Sequence, residues 1–145
     1  ACDHAALDMK KDIIEMLNEM GLEYKDFGTY EQSSCDYPIY GARAARAVAS
    51  GECDRGIVIC GTGIGMSLVA NKVPGIRCVV CSEPYSAQLS RMHNDSNMLA
   101  FGARVIGSGT ARMITKIWLE TPFEGGRHQR RVDMITGVEG GIYPE

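Results

Sequence analysis

Near the middle of the sequence stands Ile57-Val58-Ile59-Cys60-Gly61-Thr62-Gly63-Ile64-Gly65, an apolar run followed by three alternating glycines. The apolar run from Ile57 to Cys60 has no polar alternation, which is typical of a strand buried on both faces of a parallel sheet. A helix-compatible run, Met66 to Lys72, follows the glycines. Because a strand, a glycine-rich turn and a helix start bring backbone N–H groups to one point, this stretch predicts a loop that holds negative charge.

Cys60 lies where the predicted strand ends and the glycine loop begins. The N–H groups of the loop favour a thiolate, so a thiol here is expected to ionise more easily than a free one. The alternative is that Cys60 is a buried small hydrophobe, which is the commonest fate of a free cysteine.

Two familiar glycine-loop motifs do not fit. A dinucleotide-binding loop needs a third glycine and a cysteine phosphatase loop needs an arginine at the position that Met66 occupies. Glu83 follows at roughly the 20-residue distance expected of a ribose-binding acid, so dinucleotide binding stays open as an alternative.

Length and composition indicate one globular domain, residues 1–145. A hydrophobic content of 45% and a charged content of 23% are ordinary for such a domain. The net charge of −3 argues against nucleic acid or an anionic membrane as a partner. No apolar run approaches the roughly 20 residues that cross a bilayer.

The six cysteines are scattered through the chain, which predicts free thiols in the reducing cytoplasm. Cys78 and Cys81 have the spacing of a redox or zinc motif, but no turn separates them. Side chains three apart on a strand point to opposite faces, so we interpret this pair as part of the core.

Apolar periodicity and turn residues predict alternating helices and strands, and therefore a doubly wound parallel sheet with helices on both faces. Besides the strand and helix described above, the predicted strands are Glu23 to Phe27, Arg77 to Cys81, and Met98 to Phe101 extended by Arg104 to Ile106. The other predicted helices run from Leu7 to Gly21, from Asp36 to Gly51, from Pro84 to Asp95, around Met113 to Leu119, and from Gln129 to Val138.

In such a sheet, ligands bind beyond the carboxyl ends of the strands. Asp3-His4, the loop Gly61 to Gly65, and Ser82-Glu83 all follow predicted strands. The sequence therefore predicts a site where these pieces converge.

The three histidines, His4, His93 and His128, each lie at an element boundary beside a polar residue. A lone histidine there is more often a cap or a surface residue, but histidine is also the usual proton shuttle near neutral pH. No two of them share a ligand spacing along the chain, so the sequence does not predict a metal site.

Arg127, Arg130 and Arg131 form a basic cluster at the start of the last predicted helix. Residues four apart share a helix face, so Arg127 and Arg131 could both bind one phosphate. The alternative is a solvated basic face.

Eight pieces of the chain match one family in order: Cys2-Asp3-His4, Asp36-Tyr37-Pro38, Ile59 to Gly65, Ala70-Asn71-Lys72, Gly75-Ile76-Arg77, His93-Asn94-Asp95, Gly102-Ala103-Arg104 and Glu124-Gly125-Gly126-Arg127-His128. The chain resembles the type B ribose-5-phosphate isomerases and the related galactose-6-phosphate isomerase subunits. The resemblance implies a three-layer α/β/α fold with five strands. It also implies an enzyme that interconverts aldose and ketose phosphates without a metal or other cofactor.

The resemblance also implies roles for site residues. Cys60 is expected to be the base and His93 the acid that helps to open the sugar ring, while Thr62 relays protons. The other expected substrate contacts are Asp3 and Asn94 on sugar oxygens, the backbone of Gly61, Gly63, Ile64 and Gly65 on the enediolate, and His4, Arg104, Arg127 and Arg131 on the phosphate.

The family's site is shared between two subunits, so we expect a homodimer, with a homotetramer as the larger alternative. The apolar C-terminal segment around Met134 and Ile135 is expected to pack on the partner. The family also has a strand ahead of Asp3, and we expect that strand to precede Ala1. Three functions stay open: a pentose phosphate isomerase, a hexose phosphate isomerase acting on allose or galactose 6-phosphate, and a non-catalytic sugar-phosphate or nucleotide-binding module.

Overall fold

The computed structural model describes residues 1–145, and it consists of parallel strands flanked by helices. The elements in chain order are α1 (Leu7–Glu19), α2 (Tyr37–Ala49), β1 (Gly56–Cys60), α3 (Ile64–Ala70), β2 (Cys78–Val80), α4 (Pro84–Asn94), β3 (Met98–Gly102), α5 (Ser108–Glu120) and α6 (Arg127–Glu139), with a short 3-10 helix at His4–Ala6.

The sheet has the order β1-β3-β2, and both pairings are parallel. Cys60 stands opposite Gly102 in the register, so β1 and β3 end side by side. All five residues of β3 are buried, as expected for a central parallel strand. This register places the loop after β1 against the end of β3.

Residues 1–3 and 28–29 continue the sheet beyond β1 through isolated hydrogen bonds. The Asp3 N–H donates to the Ile59 carbonyl at 3.0 Å, and the Thr29 N–H donates to the Cys2 carbonyl at 2.8 Å. Only three stretches form strands, however, so the five strands implied by the resemblance are not confirmed.

The predicted strand from Glu23 to Phe27 is wrong. Its residues form no regular element, and Glu23, Tyr24 and Lys25 are exposed. Backbone pairing with the first residues of the chain occurs at Gly28 and Thr29 instead. A strand exists only where a neighbouring backbone pairs with it, and this stretch lies beside none.

The predicted extension of β3 through Arg104 to Ile106 is also wrong. The chain turns at Gly102, whose carbonyl accepts from the N–H groups of Val105 and Ile106 at 3.0 and 3.1 Å. These local bonds replace ladder pairing, so the strand stops where the neighbouring β1 stops.

The helices are close to their predicted bounds. α1 ends at Glu19 before Gly21, whose φ of 69° is suited to glycine, and Asp36 is the N-cap residue of α2. The predicted helix from Met66 begins two residues earlier, at Ile64.

Two apolar clusters fill the two sides of the sheet. One includes Phe101 and Trp118, and the other includes Val58 and Met66. Cys81 belongs to the first cluster and Cys78 to the second, which confirms that both are core residues on opposite faces. The three-layer α/β arrangement is therefore as predicted. None of its helices has both the length and the apolar character needed to cross a membrane.

Candidate active site

The loop after β1 holds the Cys60 sulfur against a backbone donor. The Gly63 N–H donates to the Cys60 Sγ at 3.1 Å, and the Ile64 N–H donates to the Thr62 hydroxyl at 3.3 Å. Gly63 has a φ of 83°, a conformation that glycine adopts without a steric penalty. The glycine loop therefore forms as predicted, with one N–H group directed at the Cys60 sulfur and one at the Thr62 hydroxyl.

The end of β3 packs against this loop and forms backbone hydrogen bonds with it. The Ala103 N–H donates to the Cys60 carbonyl at 2.8 Å, and the Arg104 N–H donates to the Gly61 carbonyl at 3.0 Å. A methyl group on Gly102 would lie 2.5 Å from the Thr62 Cα, so only glycine allows this approach. The same turn brings the exposed Arg104 side chain over Gly61.

Asp3 lies at the matching end of the neighbouring segment. Its N–H donates to the Ile59 carbonyl, and its carboxylate accepts from the Ala5 N–H at 2.9 Å. His4 follows, with its Nδ1 atom 4.0 Å from the Cys35 sulfur. Cys35 was not among the predicted site residues, because it lies 31 positions from His4, beyond α1 and in an irregular segment with no motif of its own.

We call these residues the loop group: Asp3, His4, Cys60, Gly61, Thr62, Gly63, Ile64, Gly65 and Arg104. The structure brings Asp3-His4 and the glycine loop together at the carboxyl ends of β1 and β3, as the pattern of strands predicted. Arg104 lies beside them, as the resemblance implied, whereas Glu83 caps α4.

Four predicted site residues and His128, to which no role was assigned, lie where α4 ends and α6 begins. The rings of His93 and His128 are stacked, with centroids 4.3 Å apart and planes 14° apart. Asn94 is the last residue of α4, and Asp95, with a φ of 46°, ends the helix. We call His93, Asn94, Arg127, His128 and Arg131 the histidine group. No hydrogen bond or ion pair joins it to the loop group.

His128 is buried, and its Nε2 atom lies 3.3 Å from a carboxylate oxygen of Glu124. Burial, followed by the neighbouring His93 and Arg127, lowers the pKa of His128 below its ordinary value of 6.5. The carboxylate opposes this shift without cancelling it. The ring of His128 is therefore neutral near pH 7 and can pack on its neighbour without charge repulsion.

The basic cluster lies on the outside of α6. The helix starts at Arg127, and the side chains of Arg127, Arg130 and Arg131 are all exposed. Within one chain these side chains form no hydrogen bond with the loop after β1. Their predicted roles in phosphate binding stay predictions.

Glu83 has a local structural role. Its carboxylate caps α4 by accepting from the Ser86 N–H at 3.0 Å, and these hydrogen bonds lower its pKa. This carboxylate is engaged with the helix start, which removes the main support for dinucleotide binding.

A cavity of about 820 Å³ lies elsewhere. It opens at the amino end of β1, between α1 and residues 22–27, and none of the predicted site residues lines it. The loop group is at the opposite end of the strands, where parallel sheets bind ligands. The histidine group instead follows α4 near the amino ends of β2 and β3, where the Arg77 side chain donates to the Asn94 carbonyl at 3.0 Å.

A family model described as Ribose/Galactose Isomerase matches residues 1–135. The ribose-5-phosphate isomerase B of Escherichia coli (strain K12) is 56% identical over 138 residues, which cover 95% of this chain and 93% of that protein.

Solved structures give the same result. The structure of Clostridium thermocellum ribose-5-phosphate isomerase B has a TM-score of 0.95 at 51% identity, covering 97% of this chain and 95% of that one. The structure of ribose-5-phosphate isomerase B from Mycoplasma genitalium with bound ribulose-5-phosphate has a TM-score of 0.92 at 36% identity, covering 97% and 93%. The glycine loop, the parallel sheet and these similarities together show that the chain belongs to the ribose/galactose isomerase family.

Proposed function

We propose that the chain is an aldose-ketose isomerase that interconverts ribose 5-phosphate and ribulose 5-phosphate. The observation that carries this proposal is the Cys60 sulfur held 3.1 Å from the Gly63 N–H, at the carboxyl end of a buried parallel strand. The relatives named above are ribose-5-phosphate isomerases, one of them with bound ribulose-5-phosphate, which supports the choice of substrate.

Cys60 acts as the base. Its thiolate takes the proton from C2 of the open-chain aldose, the C2 electrons form the C1–C2 double bond, and the aldehyde oxygen becomes an enediolate oxygen. Cys60 then returns the proton to C1, while Thr62 passes a proton between the two oxygens. The N–H groups of the loop from Gly61 to Gly65 stabilise the negative oxygen as an oxyanion hole does.

His93 supplies the proton that helps to open the furanose ring, with Asp3 and Asn94 binding the ring oxygen and hydroxyls. His93 is half-buried in the last turn of α4, and the stacked His128 covers one face of its imidazole. A stacked ring has a restricted orientation, which favours proton transfer in one direction.

The sugar phosphate is bound by Arg127 and Arg131 together with His4 and Arg104. Because the phosphate fixes the far end of the sugar, the reacting carbons are held in the right orientation beside the base. The arginines are exposed on α6, so they are free to bind an anion.

The protein works as a homodimer, with a homotetramer as the larger alternative. The separation of the loop group from the histidine group within one chain supports a site completed by a second subunit. The enzyme works in the cytoplasm, since all six cysteines are free thiols, the state that a reducing compartment maintains.

A hexose phosphate is the second candidate substrate. The matching family model is described by both ribose and galactose isomerases. A panel of ribose, allose and galactose phosphates, followed by ketose formation, separates the two substrates. Ketose formation from the hexose phosphates alone would overturn the pentose assignment.

The test of the base is Cys60→Ala. We expect kcat to fall at least ~10²-fold with fold and assembly unchanged, because general bases contribute at least that factor. Cys53→Ala is the matched control, since Cys53 lines the cavity at the other end of β1. If Cys60→Ala kept more than about a tenth of the wild-type kcat, Cys60 would not be the base. Substrate binding without turnover by the wild type would favour the non-catalytic binding module.

A further inference from the structure

Three potential ligands from separate parts of the chain meet beside α4. His93 lies in the last turn of α4, His128 in the first turn of α6, and Glu124 in the segment that joins α5 to α6. One imidazole nitrogen of each histidine and one carboxylate oxygen lie within 4.8 Å of one another. Zinc bonds of about 2.0–2.2 Å in tetrahedral geometry need ligand atoms about 3.3 Å apart, so movements of about 1 Å close the site.

One of these atoms has no partner in the folded chain. The side chain of His128 is buried, with a relative exposure of 6%, and its Nε2 atom makes no hydrogen bond. The nearest oxygen of Glu124 is 3.3 Å away, but not in the direction that a hydrogen bond needs. A buried polar atom without a partner is costly, and a metal ion would satisfy it.

We propose that His93, Glu124 and His128 form a binding site for a zinc-like divalent transition-metal ion, and that the bound ion blocks isomerisation. The stacked rings are nearly parallel, so their nitrogen edges can face the same ion. Glu124 is an exposed side chain that can turn to complete the set.

The donor set selects the class of metal. Two imidazoles and a carboxylate form one of the common zinc sets, with a fourth position left for water. Zinc, nickel and copper bind such nitrogen-rich sites far better than manganese does, and magnesium and calcium prefer oxygen ligands alone.

Positively charged side chains near the site limit its affinity for a metal ion. Arg127 and Arg131 lie close enough to act on the charge of His128, and they disfavour a cation. We therefore expect reversible binding that competes with the sugar phosphate, because the substrate neutralises the same arginines and uses the same His93.

The inhibitory consequence rests on the proposed function. If His93 is the ring-opening acid, a metal ion on its nitrogen removes the proton-transfer atom. Zinc added to the enzyme should then suppress turnover of the cyclic sugar, and substrate should protect against it.

The binding test uses Zn²⁺ alone, without substrate, titrated into chelator-treated protein by competition with a chromophoric indicator. We expect one ion per chain, and a visible Co²⁺ spectrum of a four-coordinate site. Glu124→Gln and His128→Gln should each weaken binding at least about 10-fold, since loss of even outer-shell partners costs that much.

Glu120→Gln is the matched control, because Glu120 is an exposed carboxylate four positions earlier, at the end of α5. Cys60→Ala should also retain zinc binding, which separates this site from a thiolate site. Unchanged affinity in the Glu124 variant, or lost affinity in the Cys60 variant, would overturn the proposal. Glu124 is exposed, so its variant is informative even if the His128 variant does not fold.

Measuring isomerase activity with and without zinc separates the proposed metal site from the proposed function. Glu124→Gln should keep its metal-free activity and lose sensitivity to zinc. Zinc binding at this site in a protein without isomerase activity would leave the metal site standing and remove the proposed function. Full activity at saturating zinc would show that the inhibitory part is wrong.

Discussion

The six cysteines differ in surroundings more than in sequence context. Burial raises the pKa of Cys78 to about 12, and those of Cys2 and Cys81 to about 11. Their thiols are therefore neutral core groups at physiological pH. Cys60 is also buried, but it alone accepts a hydrogen bond from the glycine loop. A backbone donor, rather than exposure, distinguishes the candidate base.

The raised pKa of Cys78 predicts a loss of stability in alkali. The unfolded thiol ionises above its ordinary pKa of 9.0, whereas the folded thiol keeps its proton up to about 12. The contribution of this thiol is therefore complete below pH 9 and is lost as the pH rises. Relative to Cys78→Ala, the wild-type unfolding free energy should fall by about 1 kcal/mol per pH unit above that point.

Urea unfolding of both proteins at about pH 8 and about pH 10 measures this difference. The cavity left in the variant lowers the unfolding free energy equally at both pH values, so its effect cancels when the two pH values are compared. Parallel pH profiles of the two proteins would contradict the burial of a neutral thiol.

Arg130 and Arg131 carry the same charge and adjacent numbers but different expected roles. α6 starts at Arg127, so Arg131 lies one turn on, whereas Arg130 is rotated by about 60° from Arg127. Arg131→Ala should raise KM for the sugar phosphate roughly 10- to 150-fold, because a charge-assisted bond contributes about 1.5–3 kcal/mol. Arg130→Ala should change KM less than about threefold.

Steady-state kinetics of both variants at moderate salt distinguish a two-arginine phosphate site from a diffuse basic patch. Equal losses would mean a diffuse basic patch, and the two-arginine phosphate site would have to be given up.

At the level of elements, the site depends on how closely β3 approaches the loop after β1. Gly102 stands opposite Cys60, and its backbone lies directly under Thr62. The turn that follows bonds to the carbonyls of Cys60 and Gly61. Two strand ends therefore hold the position of the loop, and a change in either one moves the N–H groups that we propose bind the oxyanion.

Gly102→Ala should lower both activity and stability. Its methyl group would lie 2.5 Å from the Thr62 Cα, so the loop must shift. We expect a cost of about 1–3 kcal/mol in unfolding free energy, and up to about 10²-fold in kcat from misplacement of the loop.

Gly109→Ala is the control, because a methyl group on Gly109, in the first turn of α5, would meet nothing within 4 Å. It should be neutral or stabilise by up to about 1 kcal/mol. Urea unfolding and kcat are measured for both variants, and a fully active Gly102→Ala protein would contradict the close-packing argument.

At the level of the whole molecule, α6 has an apolar stripe that one chain leaves uncovered. Met134, Ile135 and Val138 are 40%, 46% and 42% exposed, while His128 and Val132 face the protein. Residues spaced three and four apart form one helix face, and such a face is normally buried against another surface. This agrees with the proposed homodimer.

Ile135→Glu should shift the protein toward the monomer and lower activity, because a charge would be buried in the proposed interface. Met113→Glu is the control, since Met113 on α5 is 60% exposed and lies away from this stripe. Sedimentation at micromolar concentration measures assembly. A wild-type monomer with full activity would exclude the shared site.

The sequence by itself determined the elements whose signals are local. The unbroken apolar run before the glycines predicted β1, and Gly21 predicted the end of α1. The side on which Cys78 and Cys81 lie also followed from the two-residue period of a strand. These features depend on backbone geometry and neighbouring residues only, so a linear pattern contains them. The convergence of Asp3-His4 with the glycine loop could be predicted for the same reason, since parallel strands end at one edge. Arg104 was assigned to the site only through the resemblance, because the pattern placed it inside a strand.

Only the tertiary structure decided which separate pieces meet. Glu23 to Phe27 has the composition of a strand, yet pairing occurs at Gly28 and Thr29, because hydrogen bonds need a backbone partner at the right distance. His93 and His128 stack through the packing of α4 against α6, 35 positions apart in the chain. Glu124 joins them only because the segment before α6 turns back over α4, where its N–H donates to the Met92 carbonyl. Such contacts arise from the packing of whole elements, which no local spacing encodes.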